Sequence, residues 1–132
     1  MVSSGTRARD AYRQTELQSR TPLELVAMLY DGAIRFTSQA RDAFVRRDIP
    51  ARREAVSRVI AIVSHLQSTL DMERGGELAV TLDRLYTFIL DRLMSASFTQ
   101  DPALLDDVLN ILNTLREGWV GIAAPGALAK AG

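Results

Sequence analysis

Few side chains in this sequence could do chemistry. His65 is the one histidine, cysteine is absent, and sixteen carboxylates are matched by sixteen basic groups. A histidine acting as a general base or metal ligand needs a carboxylate or a second ligand placed beside it. At helical spacing His65 has Ile62 before it and Thr69 after it, so neither partner is offered. Metal sites in helix bundles use inward carboxylates with a Glu-x-x-His motif. Here Ile62 stands where that glutamate would be, and the acidic residues fall on polar strips. The Gly75-Gly76 pair lacks the Gly-Lys-Ser/Thr ending and the preceding strand of a phosphate-binding loop. No nucleophile stands with a base, and no acidic pair sits among apolar residues. Catalysis, a cofactor and a metal site are therefore not expected, and His65 reads as a solvated surface residue.

The formal net charge is zero, which gives no long-range attraction to nucleic acid or anionic lipid. The arginine pairs Arg46-Arg47 and Arg52-Arg53 are answered along the chain by Asp42, Asp48 and Glu54, so they read as a solvated corner between helices. No segment approaches the run of about 18 apolar residues of a membrane span, and the start lacks a signal peptide's apolar block. Membrane insertion is not expected, the absence of cysteine permits a reducing compartment, and a cytoplasmic location follows as the expectation.

What the sequence does supply is apolar periodicity. Thr21-Pro22-Leu23-Glu24 opens a helix: a hydroxyl to cap a first-turn amide, a proline where its missing N–H costs nothing, and a carboxylate near the positive end. Over residues 21–47, Leu25, Leu29, Gly32, Ala33, Phe36, Ala40 and Ala43 form the expected core stripe. Leu23, Ala27, Tyr30, Ile34 and Val45 fall on a neighbouring face, widening the apolar arc to about 220° where a surface helix needs about 100°. Such a helix touches something on two sides.

Asp48 and Pro50 restart a helix, in which Ile49, Val56, Val59, Ile60, Val63, Leu66 and Leu70 line up until about Met72. The Gly75-Gly76 pair then predicts the turn. From Glu77 to Phe98 a third helix turns Leu78, Leu82, Leu85, Tyr86, Ile89, Leu93 and Ala96 inward, leaving Val80, Phe88, Met94 and Phe98 off that stripe. Asp101-Pro102 begins the fourth, with Leu104, Leu105, Val108, Ile111, Leu112, Leu115 and Trp119 inward. These elements predict an all-α chain of one domain, an antiparallel four-helix bundle over residues 21–120. A polar N-terminal arm over 1–20 precedes it, and a disordered, flexible C-terminal tail over 121–132 follows. In the arm, Tyr12 and Leu17 are either stray apolar residues of a frayed end or anchors that dock it on the body.

The segments Ala11-Tyr12-Arg13-Gln14, Thr21-Pro22-Leu23-Glu24-Leu25 and Leu29 to Ile34 resemble the N-terminal signature of the flagellin-specific export chaperone family, FliS. The likeness continues in one register through Leu70-Asp71-Met72-Glu73, Gly75-Gly76-Glu77, Leu82-Asp83-Arg84-Leu85-Tyr86 and Leu115-Arg116-Glu117-Gly118-Trp119. The chain departs from the family in having Tyr86-Thr87-Phe88 in place of a Tyr-x-Tyr pair, and Ala96-Ser97 in place of Ala-Asn. The resemblance implies a cytosolic, non-enzymatic chaperone that binds the disordered C-terminal segment of flagellin, prevents premature polymerisation and delivers it to an export-gate component. It further implies that Leu23, Tyr30, Ile34, Phe88 and Met94 contribute to client grooves, while Tyr12 and Leu17 hold a groove until the client displaces them. The same faces could instead lie permanently under the arm or meet a second copy, which leaves two alternatives: a monomer or weak homodimer serving a client, or a self-associating helical assembly protein with none.

Overall fold

Thr21 begins the first helix as its type predicts, its hydroxyl accepting the Glu24 N–H at 3.1 Å with Pro22 in the first turn. Helix α1 then runs Pro22–Arg46. It ends in a left-handed residue, Arg47 at φ 59°, which lets the Asp48 N–H donate to the Ala43 carbonyl at 2.9 Å. This is the helix-closing geometry in which glycine is usual. Asp48 caps α2 (Ile49–Ser68) by accepting the Ala51 N–H at 3.1 Å. Asp71 caps α3 (Met72–Phe98), its carboxylate accepting the Glu73 and Arg74 N–H groups. Asp101 accepts the Ala103 N–H at 3.0 Å where α4 (Ala103–Ala123) begins. The computed structural model describes residues 21–99 and 101–123, the last four of them by backbone alone. The expected arm, with Tyr12 and Leu17, and the tail beyond residue 123 lie outside the described residues.

Two expected boundaries move. The turn between the second and third helices falls at Thr69 to Asp71, because Asp71 caps a new helical turn there. The glycine pair instead makes a bend inside α3, with Gly76 at φ 53° and ψ −133°. A Cβ at Gly75 would come within 2.6 Å of the Ala79 Cβ, so the first position of the pair is small for steric reasons and the second for conformational ones. Helix α4 also continues through Gly118 to Ala123, three residues into the expected tail.

Ion pairs fix the relative direction of the helices. Arg116 donates to Asp31 and Arg41 donates to Asp106, so α1 and α4 run antiparallel. Gly32 faces Ile62 while the Arg52 guanidinium covers the Phe44 ring, so α1 and α2 do too. Across the next interface the Gln67 amide donates to Asp83 Oδ1 and Thr87 Oγ1, each at 3.0 Å. Helix α1 packs on α2 and α4, and α3 completes the square against the same two. The result is the expected antiparallel four-helix bundle, with no strand among the described residues.

The buried face of α1 is Tyr30, Ala33, Thr37, Ala40 and Ala43. It is rotated from the expected stripe, because the bundle axis lies between α2 and α4. Leu29 and Phe36 are only half-buried. The buried Thr37 hydroxyl donates to the Ala33 carbonyl at 2.7 Å, which satisfies it within the helix. Tyr30 and Tyr86 join Val59, Val63, Ile89, Leu93, Leu105, Val108 and Leu112 in the core. The wide apolar arc of the first helix is thus consumed largely by its two neighbours in the same chain.

Candidate functional site

Eight large apolar side chains stay exposed among the described residues, and six of them (Met72, Leu78, Val80, Phe88, Met94 and Phe98) belong to α3. The surplus is therefore a property of one helix. It forms two flanks. Val80, Met94 and Phe98 lie on the side of α3 where Asp83 and Thr87 meet Gln67 of α2. Phe88, six positions before Met94, projects about 120° away from it round the helix, toward the α4 side. There the Arg92 guanidinium stacks over the Phe88 ring at 4.6 Å. Arg92 Nε is buried without a hydrogen-bond partner, the one such side-chain atom among the described residues.

At the end of the bundle where α1 begins, an apolar pocket of about 400 Å³ opens between all four helices. Leu23 and Val26 line it from α1, Leu66 from α2, Leu78, Leu82 and Tyr86 from α3, and Trp119 from α4, with Asp71 and Arg74 at its rim. Its wall is set by a buried polar pair. The Tyr30 and Tyr86 hydroxyls stand 2.5 Å apart, and the Trp119 ring lies 6.5 Å from that of Tyr30. Burial pushes both phenols above their ordinary pKa, so the pair is neutral and each hydroxyl is satisfied by the other.

The expected groove residues separate accordingly. Leu23 lines the pocket, and Phe88 and Met94 are exposed on α3 at 39% and 53%. Tyr30, expected on a groove face, is fully buried, and Ile34 is half-buried against the core, because α4 covers that side of α1. Leu78, expected inward, is 59% exposed; the bend at Gly76 turns the start of α3 away from the core. Trp119, expected as core, lines the pocket. The only sequence signal for either shift is the glycine pair just before Leu78. His65 is exposed as expected, and no cluster of metal-ligating side chains occurs among the described residues. No helix among them is long and apolar enough to cross a membrane.

A family model described as flagellar protein FliS matches residues 5–126. The chain belongs to the FliS family. It is 36% identical to the flagellar secretion chaperone FliSB of Pseudomonas aeruginosa over 121 residues, covering 89% of this chain and 96% of that one. It is 37% identical to flagellar secretion chaperone FliS of Campylobacter jejuni, over 85% of this chain and 88% of the other. Against the protein of the same name from Salmonella typhimurium the identity is 34%, over 86% and 87%. The pocket and both α3 flanks fall within the residues the FliS family model matches.

Proposed function

We propose that this chain is a cytoplasmic, non-enzymatic chaperone of flagellar export that binds the C-terminal segment of flagellin, keeps it from polymerising early and presents it to the export gate. The observation that carries the reading is the concentration of exposed apolar side chains on α3 beside an apolar pocket. A disordered client must recover its ordering entropy from a long apolar surface, and helices laid against two flanks of one rod supply one. Leu23, Leu78, Phe88 and Met94 are the contacts proposed for the client. Tyr30 acts from beneath, holding Tyr86 in the pocket wall. Tyr12 and Leu17, a few residues before the pocket's Pro22, are proposed to occupy the pocket until the client displaces them.

Titrating the full chain with a flagellin C-terminal peptide by calorimetry tests this. Binding with a large negative heat-capacity change is expected, since that change follows buried apolar area. A tight dimer in light scattering that ignores the peptide would refute the proposal in favour of self-association.

A further inference from the structure

A second candidate surface lies at the opposite end of the bundle from the apolar pocket. Where α1 turns into α2, a cleft of about 570 Å³ is lined by Phe44, Val45, Arg47, Asp48, Ile49, Arg52 and Pro102. Val45 is 69% exposed and Ile49 46%, the two large apolar side chains exposed outside α3 among the described residues. Arg52, in the cleft wall, is only 6% exposed. No carboxylate lies within ion-pairing distance of its guanidinium, and no acceptor takes a hydrogen bond from that side chain, among the described residues. The Phe44 ring lies 4.4 Å from the guanidinium carbon. Because Arg92 Nε is the single sealed nitrogen without a partner, the Arg52 nitrogens still reach the space of the cleft.

None of the acids that answer this corner in sequence pairs with an arginine of the cleft among the described residues, and of the three only Asp48 lines it. Asp48 caps Ala51 and Glu54 pairs with Arg58. Arg47, which lines the cleft, and Arg46 and Arg53, near it in sequence, are exposed with no ion pair among the described residues. A nearly buried, unpaired guanidinium is costly to keep, and removing such a charge in favour of an apolar side chain of similar size is commonly neutral or stabilising. The retained arginine thus points to a carboxylate brought from outside, and Val45 and Ile49 point to apolar neighbours for it. We infer that the α1–α2 corner docks a short acidic and apolar segment of a second protein, whose carboxylate meets Arg52 while its apolar side chains cover Val45 and Ile49. This site stands apart from the proposed flagellin surface and does not depend on it.

The test uses isotope-labelled full chain and an end-blocked peptide alternating leucine with glutamate, followed by amide chemical shifts. Shifts confined to the stretch from Ala43 to Arg53 and to Ala103 are expected, with at least tenfold weaker binding by Arg52→Met and none by a leucine–glutamine control. Arg52→Met should also melt no lower than the parent. Arg47→Gly, whose backbone suits the left-handed turn, should fold at least as well and bind several-fold more weakly, and it decides the matter should Arg52→Met fail to fold. The inference is overturned by an absence of shifts at millimolar peptide, by shifts elsewhere, or by unchanged affinity of the variants. Equal perturbation of the same amides by inorganic phosphate, or tighter binding there of a single-stranded oligonucleotide, would overturn it too.

Discussion

Replacing Tyr30 with phenylalanine separates a core residue from a client contact. The substitution removes one hydroxyl from a pair standing 2.5 Å apart, with Tyr30 fully buried and Tyr86 1% exposed. Tyr86 then keeps a buried hydroxyl without its partner, an expected cost of about 1 to 3 kcal/mol. At about 4 °C per kcal/mol for a domain of this size, the melting point should drop by about 4 to 12 °C. Tyr86→Phe should behave similarly, and the double variant should recover most of the loss, because neither ring then carries an unpaired polar group. Both phenols titrate above their ordinary value through burial, so the folded state holds two protons that the unfolded chain releases as pH rises past 10.0, the ordinary tyrosine value. Stability is therefore fully present below pH 10 and lost above it, by about 1.4 kcal/mol per pH unit for each tyrosine until its folded pKa is reached. Denaturant melts from neutral to strongly alkaline pH, in a Tyr12→Phe background so that no other tyrosine titrates, measure that slope in parent and double variant. A Tyr30→Phe protein that melts like the parent but loses flagellin peptide would refute the argument, since Tyr30 would then be a contact surface.

Phe88→Asp and Met94→Asp should each weaken flagellin peptide binding at least tenfold in calorimetry while leaving circular dichroism unchanged, as both side chains are substantially exposed. Ile34→Asp should instead cost at least about 2 kcal/mol in denaturant melts, because it places a charge against the core. Arg47→Gly should raise stability by about 0.5 to 1 kcal/mol, relieving a side chain held at φ 59°. Gly75→Ala should lower the melting point, as its Cβ would meet that of Ala79 at 2.6 Å, while Gly32→Ala, 3.4 Å from the Ile62 side chain, should be tolerated.

The amino-acid sequence by itself determined the four helices and most of their ends, since capping is local chemistry. Thr21, Asp48 and Asp101 each accept an amide within three residues, and that geometry is written in residue order. Apolar periodicity likewise determined that α3 carries surplus side chains at Val80, Phe88, Met94 and Phe98, all of which stay exposed. Only the tertiary structure decided which surplus is available. Tyr30 and Phe88 look alike in a helical projection, but α1 lies between α2 and α4 and loses Tyr30 to the core, whereas α3 meets the same two neighbours and keeps Phe88 at its surface. The glycine pair was legible as a break and not as a bend: Asp71 caps Glu73 and Arg74 as locally as the other caps do, but whether the chain turns at Gly75-Gly76 or runs on past Gly76 is decided by the packing of α3 on its neighbours. The arginine corner shows the same limit from the electrostatic side. Neighbouring acids balance it in sequence, yet in three dimensions Asp48 caps Ala51, Glu54 pairs with Arg58, and Arg52 is left with an aromatic ring and an open cleft. Local backbone chemistry acts over a few residues and can be read in order, whereas exposure and charge pairing depend on which helices become neighbours, which no single segment specifies.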